Sequence, residues 1–159
     1  MKDKLLSKQG WVILVICIIS FFINNRVVVP DIMEARNMVT AREMVHDGNW
    51  LVPTMNGDLR LEKPPLPTWL TAVAEMISPD NLALQRAMAG LAAILLVAFF
   101  YLTAVQVMRN KRYAFISTIL LCTCYNIILM GRTASWDIYC HAFMMGAIYF
   151  LIRAFAAKF

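Results

Sequence analysis

Residues 87–108 read AMAGLAAILLVAFFYLTAVQVM, a run with no Asp, Glu, Lys or Arg that stops at Arg109-Asn110-Lys111-Arg112. About 20 apolar residues cross a bilayer as a helix, so this run predicts a transmembrane span. The basic cluster after it predicts a cytoplasmic loop. Working outward, Tyr113 to Gly131 is apolar again, Gly131-Arg132-Thr133-Ala134-Ser135-Trp136-Asp137 is a short polar turn, and Ile138 to Ile152 begins another span. Upstream, Gly10 to Ile23 is continuously apolar and the next charge is Arg26. No small-x-small cleavage site follows, so this is read as an uncleaved first span, with Arg26 snorkelling to the interface. The expected fold is all-α and integral to the membrane, with about four transmembrane helices near residues 10–29, 83–108, 113–131 and 138–157. Residues 30–82 form an outer loop.

Composition agrees. The chain has 159 residues, 60% of them hydrophobic, and a formal net charge of +5; its mean hydropathy is +0.62. That apolar share exceeds the usual one for soluble domains. No basic patch interleaves with exposed aromatics, which argues against nucleic acid as a partner. Cys17, Cys122, Cys124 and Cys140 sit in or beside apolar runs; Cys122 and Cys124 lack zinc spacing and a second pair, so they read as packing residues. His46 and His141 have no helical partner at metal spacing. The basic residues Lys2, Lys4, Lys8, the 109–112 cluster, Arg153 and Lys158 would share one side. By the positive-inside rule the N-terminus is cytoplasmic, in a multi-pass protein of the plasma (inner) membrane. The 24–82 segment and the 131–137 turn then meet on the outer face.

Within the outer loop, Asp31 is a good N-cap, with Glu34 three residues on in capping-box spacing. Met38, Ala41 and Val45 recur at helical spacing, Glu34, Arg36, Arg42 and Glu43 make a polar side, and Gly48 suits a C′ position. Asp31 to Asp47 therefore reads as an amphipathic helix at the membrane surface. Asn56-Gly57 signals a hairpin turn, with a return strand from Leu59 to Glu62. Pro67 suits the first position of a second interfacial helix reaching Ile77.

Between them lies Leu59-Arg60-Leu61-Glu62-Lys63-Pro64-Pro65-Leu66, an acid–base pair ahead of a double proline. The prolines fix φ and forbid helix just before each, so the pair stands on stiff backbone. A carboxylate beside an ammonium suits an anionic substrate; a plain surface ion pair is the other reading. Asp137 beside a span is either a functional carboxylate or an N-cap. Arg132 is either an interface anchor or a phosphate clamp.

Three blocks carry a family resemblance. They are Glu34-Ala35-Arg36-Asn37 with Ala41-Arg42-Glu43-Met44; Gly48-Asn49-Trp50-Leu51-Val52-Pro53 through Asn56-Gly57 and Glu62-Lys63-Pro64-Pro65-Leu66, the most specific; and Gly131-Arg132-Thr133-Ala134 with Asp137. In this order they resemble the N-terminal part of the polyprenyl-phosphate-sugar-dependent glycosyltransferases of GT-C fold, which include protein O-mannosyltransferases and the aminoarabinose transferase that modifies lipid A. The resemblance covers nearly the whole chain, and the chain corresponds to about the first third of a typical member.

The resemblance implies transfer of a sugar from a polyprenyl-phosphate donor to a lipid A or protein acceptor at the outer face. It implies Glu62 as a divalent-metal ligand, with a second ligand outside this chain, and Lys63 and Arg36 as contacts to the donor phosphate. Asp137 matches the second-loop aspartate. Met33 falls where the family's first aspartate stands, and Asn37 where it has tyrosine, so Asp31 or Glu34 would supply the carboxylate, with pure capping by Asp31 the alternative. From another class, the chain reads as a truncated, non-catalytic membrane protein or an interaction partner of a full-length transferase.

Overall fold

The computed structural model describes residues 8–156. Its elements in order are α1 (Lys8–Phe22), α2 (Ile32–Asp47), β1 (Thr54–Met55), β2 (Asp58–Leu59), α3 (Pro65–Ile77), α4 (Leu82–Met108), α5 (Lys111–Cys122), α6 (Tyr125–Gly131) and α7 (Asp137–Ala156). Two helices, α4 and α7, are long and apolar enough to cross a membrane; α5 and α6 make a third candidate only as a pair bent by 64°, and α1 is a shorter apolar helix. The protein is a multi-pass membrane protein. The helices differ from the expected spans in two details. The first apolar helix ends at Phe22 rather than near residue 29, because Asn24 turns left-handed at φ 56°. The third breaks after Cys122, at Thr123, whose hydroxyl bonds back to the carbonyls of Ile119 and Leu120. The basic positions Lys2, Lys4 and Lys158 lie outside the described residues.

The central element is α4, which packs along α7 and touches α1, α3, α5 and α6. Small residues permit the close approaches that helix association in lipid needs. A Cβ on Gly131 would lie 2.7 Å from the Phe21 ring and 2.9 Å from Ala93, so α6 meets α1 and α4 there with no room to spare. Cys17 and Cys122 also meet in this core, sulfurs 3.8 Å apart, and all four cysteines are free thiols.

The loop between α1 and α4 follows its local signals. Asp31 caps α2, its Oδ1 accepting from Met33 N and Glu34 N at 2.8 Å each. Gly48 closes the helix at φ 74°, where a side chain would be strained. The Asn56-Gly57 turn, both residues at positive φ, pairs Thr54 with Leu59 and Met55 with Asp58; the return strand is thus shorter and earlier than Leu59 to Glu62. The second interfacial helix begins at Pro65, two residues ahead of Pro67.

Polarity inside this loop is partly inverted. α2 buries Glu34, Asn37, Thr40, Ala41 and Met44, while Ile32 and Met33 are exposed. Glu34 is therefore not on an outward polar side. Val27, Val28, Val29, Leu51, Val52, Leu59, Leu61 and Leu66 are exposed as well. Arg42, Asp58 and Glu62 are exposed too, so the loop presents a mixed surface of apolar and charged side chains.

Candidate functional site

Two polar clusters fix the loop to the ends of the spans. Arg86, on the first turns of α4, sends Nε and Nη2 to the two Glu34 carboxylate oxygens at 2.7 Å each, and Nη1 to the carbonyl of Asn25 at 2.5 Å. Glu34 Oε1 also accepts from Ala134 N at 2.9 Å. Both side chains are sealed, Glu34 at 0% and Arg86 at 1% exposure. Beside them Asn37 donates to Thr71 Oγ1 and to the Ala134 carbonyl and accepts from Thr68. The residues of the first and third blocks thus lock together. Ala134 receives a carboxylate on its N–H and an amide on its C=O, and the α6–α7 turn is held against α2.

This settles several placements. Glu34 does not close a capping box on Asp31 and is not a free base; its charge is committed to Arg86. Asp31 holds a helix N-terminus. Arg132 donates to the carbonyls of Ile23 at 2.5 Å and Ser20 at 3.5 Å, so it caps the C-terminus of α1, where a cation is favoured. It lines a groove of about 320 Å³ with Asn25, Val28, Arg86 and Tyr125, away from the acid–base pair. Asp137 opens α7 with an exposed side chain.

The acid–base pair itself stands beside α2. Arg36, Asp58, Arg60 and Glu62 line one open cleft of about 270 Å³. Next to it, Arg60, Lys63, Thr40, Thr68 and Trp136 line a notch of about 10 Å³. Of the expected site residues, the structure brings together Arg36, Glu62 and Lys63. It puts Asp137 one residue beyond Trp136, and it leaves Asp31, Glu34 and Arg132 in structural roles.

Arg60 was not singled out in the sequence, and it organises this region. It is 6% exposed. Its Nη1 donates to the Arg36 carbonyl at 2.6 Å and to Thr40 Oγ1 at 2.8 Å. Burial pulls its pKa below the ordinary arginine value; Glu62 opposes that shift and Arg36 adds to it. A guanidinium remains charged regardless. The flanking Leu59 and Leu61 are 70% and 71% exposed, so an arginine between two leucines has exchanged faces with them. That inversion, in a loop bordered by spans, is the signal that could have found it.

Among the described residues no three His, Cys, Asp or Glu side chains come together as metal ligands. Glu62 shares its cleft with Asp58, but two arginines face them. This donor set does not by itself make a metal centre.

The sequence pattern of the family described as dolichyl-phosphate-mannose-protein mannosyltransferase matches residues 62–158, more than half of the chain. The undecaprenyl phosphate-alpha-4-amino-4-deoxy-L-arabinose arabinosyl transferase of Pseudomonas savastanoi is 34% identical over 92 residues, covering 58% of this chain and 17% of that protein. An uncharacterized protein of Aquifex aeolicus is 26% identical over 156 residues, covering 96% of this chain and 31% of its own. The crystal structure of ArnT from Cupriavidus metallidurans bound to undecaprenyl phosphate superposes with a TM-score of 0.74 at 21% identity, covering 91% of this chain and 26% of that one. The chain spans less than a third of the length of these relatives.

Proposed function

Because the chain belongs to the dolichyl-phosphate-mannose-protein mannosyltransferase family, we propose that it carries the part of a glycosyltransferase that receives the phosphate of a polyprenyl-phosphate-linked sugar. The observation behind this reading is the gathering of Lys63, Arg60 and Arg36 beside one another at one end of the spans. Lys63 is half-buried and has no carboxylate within 4.0 Å among the described residues. An unpaired cation on a proline-stiffened backbone suits a phosphodiester that approaches from the bilayer.

The 27-residue helix α4 begins at this loop and ends at the Arg109-to-Arg112 cluster. At 1.5 Å per residue it is about 40 Å long, so the site and the basic loop lie at opposite membrane faces. The positive-inside rule then puts the site outside and the N-terminus in the cytoplasm. The exposed leucines and valines of the loop give the lipid chain an apolar bed.

In transfer the anomeric C–O bond breaks and polyprenyl phosphate leaves. Lys63, with Arg36, meets the charge that develops on the phosphate. Asp137, exposed at the helix start, is the carboxylate left free to take a proton from a hydroxyl acceptor; a lipid phosphate acceptor would need no such base. The acceptor we favour is lipid A or a protein. A divalent ion bound by Glu62 and by donors outside this chain would add further charge stabilisation; none of the roles given to Lys63, Arg36 and Asp137 depends on it.

The test is binding of undecaprenyl phosphate and of undecaprenol to the protein in lipid nanodiscs. A charge-assisted contact is worth about 1.5–3 kcal/mol, so Lys63→Ala should weaken the phosphate about tenfold to a hundredfold and leave the alcohol unchanged. Lys111→Ala, at the other face, serves as the control. A change of less than twofold for Lys63→Ala would overturn the reading.

A further inference from the structure

Trp136 lies between the Gly131-to-Ala134 turn and α7. Its side chain is almost wholly buried, and its indole N–H has no partner among the described residues. Two cations share its ring. Arg60 Cζ is 5.1 Å from the ring centroid and Lys63 Nζ is 5.4 Å from it, both within the reach of a cation–π contact.

The two cations are held differently. Arg60 is buried and tied to the Arg36 carbonyl and to Thr40, with Met55 Sδ at 3.6 Å. Lys63 is half-exposed, and among the described residues its ammonium makes no hydrogen bond or ion pair and stands over the indole face. The guanidinium is therefore a fixed charge and the ammonium a movable one. Like charges on one ring repel; hydrogen bonds keep Arg60 there, and the ring's negative face attracts the ammonium. Both cations line a small open notch with Thr40, Thr68 and Trp136. Lys63 is half-exposed and Arg60 is buried, so the ammonium is the cation an anion from outside can reach.

We infer that Trp136 is a positioning residue for Lys63: its indole face holds the ammonium ready, and Arg60 on the same ring presses it toward an incoming phosphate. This rests on the phosphate-binding reading of Lys63 given above. A tryptophan that merely fills the core would act through its shape. A positioning tryptophan acts through its π density, and the two can be separated.

The experiment replaces Trp136 site-specifically with mono-, di-, tri- and tetrafluorotryptophan, near-isosteric rings of falling π density, in the protein held in nanodiscs. The probe is undecaprenyl phosphate. Each fluorine should weaken binding stepwise, reaching about threefold to tenfold for the tetrafluoro ring, the scale of one cation–π contact. The same series in a Lys63→Ala background should be flat. If affinity is unchanged across the series while Lys63→Ala still weakens it, the positioning role is wrong and the phosphate reading stands. If the slope persists without Lys63, the ring acts on another group and the inference fails. If Lys63→Ala itself has no effect, both readings fall together.

Discussion

Replacing Glu34 by Gln keeps the size of the side chain and removes its charge. Arg86 would remain 1% exposed, with a carbonyl and a neutral amide in place of a bidentate carboxylate. Its bonds to Glu34, at 2.7 Å each, are the charge-assisted kind. The Ala134 N–H would depend on which way the new amide turns. Breaking a buried ion pair from one side costs about 3–5 kcal/mol, since an uncompensated charge stays behind. For a chain of this length each kcal/mol moves Tm by about 2–4 °C, so Glu34→Gln should lower Tm by about 6–20 °C. The assay is a thermal melt in nanodiscs followed by circular dichroism. Replacing both partners, Glu34→Leu with Arg86→Met, removes the stranded charge and should regain at least half of the loss. A Tm within 2 °C of wild type for Glu34→Gln would refute the buried-pair reasoning. So would a double variant less stable than either single one.

Gly131→Ala drives a methyl to within 3 Å of Phe21 and Ala93; an overpacked core loses about 1–3 kcal/mol, read as a drop in denaturation midpoint, and an unchanged midpoint would mean that α6 is free to shift. For topology, single cysteines at Asn56 and Asn110 in a background without the four native thiols are treated with an impermeant thiol reagent on intact cells. Labelling at 56 and protection at 110 are expected, and the reverse pattern would invert the orientation.

Local chemistry made much of the loop legible. Asp31, Gly48, Asn56-Gly57 and the Pro64-Pro65 pair act on residues within four positions of themselves, and each does in the structure what its side chain or φ demands. Glu34 defeated the same logic. Its capping-box partner is three residues away, but its actual partner Arg86 is 52 residues on. A sequence pattern cannot weigh a local hydrogen bond against a buried ion pair formed only after α2 and α4 dock. Arg132 shows a related limit. Beside a polar turn it reads as an interface anchor or a phosphate clamp, and its actual place, on the carbonyls of Ile23 and Ser20 at the end of α1, appears only once the helices dock.

The spans were legible as apolar runs and not as straight helices. Nothing in the average hydropathy of Tyr113 to Gly131 marks the 64° bend between α5 and α6. Arg60 was hidden by a rule borrowed from water. Between two leucines a charge is expected outside, but the Arg36 carbonyl and Thr40 give the buried guanidinium partners that the sequence does not announce.

The most direct measurement of where the donor sits is photo-crosslinking. Undecaprenyl phosphate bearing a diazirine near its phosphate is added to the protein in nanodiscs, irradiated, and the adducts are mapped by mass spectrometry. Adducts should concentrate in residues 58–66 and at Trp136 to Asp137, and fall sharply in Lys63→Ala. Adducts confined to the groove formed by Asn25, Val28 and Arg132, or to the Arg109-to-Arg112 loop, would contradict a phosphate site at Lys63.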